Sequence, residues 1–178
     1  VQNAPTPAAL AAERPVRTAP DYVMKDFSVT TFVEAGRLKS EVFGVAARHY
    51  PDTDTLEIDR VRIRSFDEQG RLTTATADRA LTNSDATIVE LFGNALLIRE
   101  AQPDKLGTVM PRVEFRGEYL HANTDTDRVK SNKPVELRRG KDVFVGDTMD
   151  YDDNTQVMLM QGRVKGQIVQ DKAASGKK

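Results

Sequence analysis

The 178-residue chain contains no cysteine and no tryptophan. Without thiols there is neither a disulfide framework nor a thiolate metal site. Zero cysteine fits any compartment and is comfortable in an oxidising one, where a stray thiol is a liability. Aromatic rings are few, seven Phe and four Tyr, so small aliphatic side chains must fill most of the interior. Neither sign of charge is in excess: 26 basic residues stand against 27 acidic ones. A nucleic-acid binder needs a basic surplus to release phosphate counterions, and this chain has none. No apolar run approaches the roughly 20 residues of a membrane-spanning helix, and no secretory h-region is present. Because the chain starts at Val1 rather than at Met, an upstream signal or anchor is expected.

Signatures of catalysis are missing as well. There is no Gly-x-Ser-x-Gly elbow, no phosphate loop and no dinucleotide glycine pattern. The expectation is a protein that is not an enzyme and takes no cofactor.

What the chain does have is alternation. Phe27, Val29, Thr31 and Val33 alternate with Ser28, Thr30 and Phe32; Leu56 and Ile58 alternate with Glu57 and Asp59. Val61 and Ile63, Val113 and Phe115, and Val135 and Leu137 sit among Arg and Glu in the same way. A period of two with one apolar face is the mark of antiparallel strands with one solvated side. No stretch keeps a helical period for three turns, so the chain reads as all-β.

Turns recur between these strands. The stretches 49–55 (HYPDTDT), 81–87 (LTNSDAT), 120–128 (LHANTDTDR) and 149–156 (MDYDDNTQ) each lead into a short strand. Asn and Asp suit such turns because their side chains bond nearby backbone and tolerate left-handed conformations. Spacings of roughly 30 to 40 residues fall in the range of repeat architectures. Stacked units, or a sheet folded over on itself, would bury the apolar face each unit exposes. An elongated two-sheet roll over residues 21–169 is expected, with a Pro/Ala-rich linker at 1–20 and a disordered tail at 170–178.

His49 and His121 flank two of the turns and are read as equivalent surface positions rather than metal ligands. Asp52/Asp54, Asp125/Asp127 and Asp152/Asp153 resemble fragments of calcium loops, but they lack the central glycine and distal glutamate such loops need. Turn chemistry is the expected explanation, with no metal site.

The segments 20–29 (PDYVMKDFSV), 49–56 (HYPDTDTL), 76–81 (TADRAL), 91–95 (LFGNA), 133–137 (KPVEL), 146–152 (GDTMDYD) and 162–166 (GRVKG) together resemble the LptC family of lipopolysaccharide-export proteins. Each is weak alone; their order and joint coverage from about Pro20 to Gly166 make the resemblance specific. It implies a twisted antiparallel β-jellyroll of two facing sheets, of the LptA/LptC/OstA kind. It also implies a single-pass protein on the periplasmic face of the Gram-negative inner membrane, with its anchor upstream of this chain. Such a protein receives lipopolysaccharide from an ABC transporter complex (LptB, LptF, LptG) and passes it to periplasmic LptA. Two other readings stay open: a soluble periplasmic bridge of the same fold, and a purely structural β module that binds no lipid.

Joining resemblance and alternation gives candidate lipid-facing residues: Phe27, Val29, Leu38, Val42, Leu56, Ile58, Val61, Ile63, Leu91, Leu97, Phe115, Leu137, Val145, Val157 and Leu159. The resemblance also places partner edges at the N-terminal strand (Tyr22, Phe27, Val29) and at the C-terminal strands (Val157, Leu159, Val164). Gly140, also a candidate partner-binding residue, is expected to end a strand where a larger side chain does not fit.

Overall fold

Alternation of period two becomes, in the computed structural model, fourteen strands and, among the described residues, no helix. The structure describes residues 19–103 and 106–170. The expected linker and tail lie outside them, apart from Ala19, Pro20 and Gln170.

Six strands are long: β1 (Tyr22–Phe32), β2 (Leu38–Tyr50), β3 (Thr55–Phe66), β4 (Leu72–Asn83), β5 (Ile88–Arg99) and β8 (Val113–Asn123). They pair antiparallel in that order. A two-stranded excursion, β6 (Gln102–Pro103) and β7 (Val109–Met110), interrupts the connection from β5 to β8. After β8 the strands shorten: β9 (Arg128–Ser131), β10 (Val135–Arg139), β11 (Asp142–Gly146), β12 (Thr148–Asp152), β13 (Val157–Gln161) and β14 (Lys165–Gln167).

The long strands do not run through unbroken. Regular pairing lapses near their middles, around Asp26, Arg60, residues 77–78 and residues 93–94. Asp26, Arg60 and Asn94 there adopt left-handed backbone (φ 46°, 51° and 47°). Such bulges bend a strand and strengthen its twist. Aligned across six strands, they fold one sheet into two leaves.

Beyond β8 the leaves separate. Residues 121–123 of β8 pair with β9, which continues through β12 to β13 and completes the first leaf. Residues 113–117 pair with β10, which continues through β11 to β14 and completes the second. The short strands thus alternate between leaves where the long ones bend from one leaf into the other.

Two of the bends share one construction. Asn94 donates to Asp78 at 3.0 Å beside Gly93, where an added Cβ would lie 2.6 Å from the Asp78 carboxylate. Arg163 grips Asp147 at 2.8 to 3.1 Å beside Gly162, where a Cβ would again fall 2.6 Å from the carboxylate. The motifs TADRAL, LFGNA, GDTMDYD and GRVKG carry these bends. Their Asp and Gly are there because the backbone turns and a carboxylate must approach it closely.

Register brings apolar residues into rows that cross the sheet. In the second leaf one inward row runs Val29, Val42, Ile63, Ala75, Leu97, Phe115, Leu137, Phe144. In the first leaf one runs Leu56, Thr82, Val89, Ala122, Val129, Tyr151, Met158. The leaves pack face to face on these rows, and Ile58, Leu91, Phe115, Leu120, Leu137 and Tyr151 are almost wholly buried. Each fully buried large aliphatic or aromatic side chain contributes on the order of 1.5–3 kcal/mol.

The four Asp-rich turns expected from sequence all lie at the outer end of the first leaf, between its paired strands. Asp54, Ala86, Asp127 and Gln156 take the left-handed position in them, with φ between 51° and 57°.

Candidate functional site

Small side chains on both inward rows leave space between the leaves. A cavity of about 760 Å³ opens there. Ile63, Ala75, Leu97 and Phe115 wall it from the second leaf; Val89, Leu91, Ala122 and Val129 wall it from the first. Five of these wall residues are alanine or β-branched where a larger ring would have filled the gap. At the outer rim the lining turns polar, with Arg37, Lys39, Arg71 and Arg99 opposite Asp125, Asp127 and Asp153.

That rim contains a buried ion cluster. Arg71 stands immediately before the second leaf's β4, and Asp153 begins the β12–β13 turn of the first leaf, 82 residues away. They meet at 3.1 Å with side chains 3% and 9% exposed. The Arg99 guanidinium reaches the same carboxylate at 2.9 Å and Asp67 at 3.1 Å. Arg71 also donates to the carbonyls of Glu100 and Pro111. A buried guanidinium needs most of its donors filled; these bonds fill them. Burial lowers the Arg71 pKa, with the Asp153 charge opposing. Burial pushes the nearby Asp127 carboxyl up, while Arg99 pulls it back down.

Asp153 therefore does more than shape a turn, the role expected from sequence. Asp153 ties the two leaves together across their open side. Arg139 adds a second tie, donating to the Gln156 carbonyl at 3.0 Å. Among the described residues, no member of β10, β11, β13 or β14 reaches the cavity wall. The cavity ends where Phe115 meets Tyr151 edge-on, with ring centroids 5.2 Å apart.

The candidate lipid-facing residues divide by location. Ile63, Leu91, Leu97 and Phe115 line the cavity. Ile58, Val61 and Leu137 are buried, at 1%, 2% and 1% exposure, and do not line it. Phe27, Val42 and Leu56 are half-buried against the core; Leu38 is half-buried and Val29 lies exposed on the edge strand. The inward assignment of Val145, Val157 and Leu159 is corrected. Val145 pairs beside inward Phe144, and Val157 and Leu159 alternate with inward Met158 and Met160. The β10–β11 hairpin sets Phe144 opposite Leu137 and the β12–β13 hairpin sets Met158 opposite Tyr151, and a one-residue shift exchanges faces.

Two further expectations change. At Gly140 nothing lies within 4 Å of an added Cβ; the constraint is its left-handed φ of 60°. His49 and His121 are not equivalent: His49 shares a row with Leu56, whereas His121 pairs with Glu90 and Lys130 on the opposite face. The partner-edge residues occupy sheet borders: Tyr22, Phe27 and Val29 lie on β1, Val157 and Leu159 on β13, and Val164 just before β14. Tyr22, Val29, Val157, Leu159 and Val164 are exposed there, from 41% to 60%.

Among the described residues no His, Cys, Asp and Glu group could hold a metal, and no helix is long and apolar enough to cross a membrane.

A folded antiparallel roll over an aliphatic cavity is a β-jellyroll. It is similar to the crystal structure of LptH, described as the LptA-homologous periplasmic component of the lipopolysaccharide transport device of Pseudomonas aeruginosa. That likeness has a TM-score of 0.55 and 15% identity, covering 87% of this chain and 99% of LptH, and it concerns fold alone. The family model described as lipopolysaccharide-assembly, LptC-related, matches residues 1–169. The chain belongs to that family, and with it to the non-enzymatic components of lipopolysaccharide transport. Comparison with curated proteins returns no match.

Proposed function

We propose that this chain receives lipopolysaccharide from an inner-membrane ABC transporter and holds its acyl chains between the two leaves. It then passes the lipid to a periplasmic bridge protein of the same fold. The observation that carries this reading is the 760 Å³ aliphatic cavity in a member of a lipopolysaccharide-assembly family.

Acyl burial contributes roughly 0.8 kcal/mol per methylene before ordering costs. A cavity that is apolar within and charged at its rim matches an amphiphile whose tails enter and whose polar part stays at water. The exposed edge strands β1 and β13 would add partner strands, since open sheet edges are ready-made templates for pairing. On this reading the periplasmic side of the inner membrane is its place of work, with the transporter at β1 and the bridge protein at the C-terminal edge.

Filling the cavity tests the assignment. Ala75 is 6% exposed and faces the cavity. Ala75→Trp is expected to retain a cooperative unfolding transition and to retain little lipopolysaccharide in pull-down. A folded Ala75→Trp protein that binds lipopolysaccharide as well as the unsubstituted chain would refute the cavity as the site.

A further inference from the structure

Among the described residues, none of β13 or β14 lines the cavity. Between Ile63, Leu91 and Leu97 and the C-terminal strands stands a septum of side chains, Phe115 and Tyr151, which also line the cavity. Phe115 from the second leaf and Tyr151 from the first meet edge-on within it, both 1% exposed. Over them lies the ion cluster, in which one carboxylate, Asp153, serves two guanidiniums drawn from the facing leaf. The Tyr151 hydroxyl lies 3.4 Å from that same carboxylate, which links the aromatic contact to the ionic one. Beyond the septum, Met149, Met158 and Met160 face the interior, where unbranched thioether side chains can accommodate varied shapes.

We propose that this septum is a gate: Arg71 and Arg99 release Asp153, Tyr151 leaves Phe115, and the acyl chains pass toward the C-terminal strands. The inference rests on the lipid reading above and adds a regulated step to it. A buried ion cluster suits the role because it has one well-defined closed geometry and is costly to leave half-made. It spans the two leaves rather than neighbouring strands, so its opening separates leaves without breaking a strand ladder. Tyr151 and Asp153 leave β12 together, and Arg71 comes from a segment that shares no strand pairing with them. The bonds that join Arg71 to Asp153 are side-chain ones.

The absence of cysteine makes a direct test possible. A double variant, Arg71→Cys with Asp153→Cys, is bridged by a reducible bis-methanethiosulfonate linker. A photo-crosslinking amino acid is placed either at Ile63, before the septum, or at Met158, beyond it. Lipopolysaccharide is then supplied to the linked and to the reduced protein. The gate predicts capture at Ile63 in both states, and capture at Met158 only after reduction, at least tenfold above the linked protein. Equal capture at Met158 in both states, or none there in the reduced protein while Ile63 is labelled, overturns the gate and leaves the lipid reading intact. No capture at Ile63 in either state overturns the lipid reading and the gate with it. Asp153→Asn in the otherwise unsubstituted chain gives a second readout. Its freed septum is expected to label faster at Met158 with unchanged labelling at Ile63, and unchanged labelling at both positions counts against the gate.

Discussion

The ring of Tyr22 stacks on the imidazole of His49, with centroids 4.7 Å apart and planes within 8°. The same imidazole sits between two carboxylates, Asp21 at 2.7 Å from Nδ1 and Asp54 at 2.8 Å from Nε2. A neutral imidazole donates from one nitrogen only, so both contacts are satisfied together only in the imidazolium. This clip fastens the first residues of β1, which otherwise form a sheet border.

Its pH dependence follows. Hydrogen bonds to Asp54 and then Asp21 raise the His49 pKa above its ordinary value of 6.5. A raised pKa means stabilisation that is complete below 6.5 and lost as pH rises through the raised value. His49 in turn holds Asp21 and Asp54 below their ordinary 3.8, so their contribution is complete above 3.8 and lost as pH falls through the lowered values. The clip is therefore strongest between these limits. Amide exchange at Val23 and Met24 should quicken from pH 6 to pH 9, beyond the intrinsic base-catalysed rise, and Asp54→Asn should blunt that change. Corrected exchange that is flat across the range would contradict the clip.

Removing the shared carboxylate should be expensive. Asp153→Ala leaves Arg71, whose side chain is 3% exposed, without an ionic partner. Breaking one half of a buried pair costs about 3–5 kcal/mol. Urea unfolding should show the midpoint falling accordingly, whereas Asp125→Ala in an exposed turn should stay within about 0.5 kcal/mol of the parent. Similar losses for both would mean that the cluster contributes little.

Two glycines separate crowding from backbone strain. At Gly44 an added methyl would lie 2.6 Å from both Ile58 Cγ2 and Phe27 Cε1. Gly44→Ala should cost about 1–3 kcal/mol by overpacking. At Gly140 the space is open but φ is +60°, so Gly140→Ala should cost about 1–2 kcal/mol and Gly140→Asn distinctly less. Equal costs for Ala and Asn at 140 would place the constraint elsewhere.

The face assignment on β13 can be read from one adjacent pair. Leu159 is 58% exposed, whereas Met158 packs against the core. Leu159→Asp should leave thermal unfolding nearly unchanged and Met158→Asp should lower it by several degrees. If Leu159 lies at a docking edge, its Asp variant also loses binding of a bridge protein while remaining folded. Destabilisation by Leu159→Asp comparable to that by Met158→Asp would reverse the assignment.

Period two alone made the strands of 22–32, 55–66 and 113–117 legible, because each alternates cleanly from end to end or up to its bend. The four Asp-rich turns were legible for the same local reason. The bends fall within segments that carry the family resemblance, yet a left-handed Asn94 or Arg163 shows only once the strand is built. The faces of Phe144, Met158 and Met160 depend on hairpin register, which pairs Leu137 with Phe144 and Tyr151 with Met158, and alternation alone does not show it. The ion cluster left no trace in sequence at all: Arg71 and Asp153 are ordinary loop-border residues until folding joins positions 82 apart.

The central claim is that lipopolysaccharide occupies the interval between the leaves. Ile63 and Arg62 are adjacent in β3, and only Ile63 lines the cavity; Arg62 lies over the Phe43 ring. A photo-crosslinking amino acid at each position, in the membrane-derived transport system supplied with ATP, compares the two faces one residue apart. The account predicts lipopolysaccharide adducts at 63 and background at 62. Equal labelling at both, or labelling at 62 alone, would contradict it.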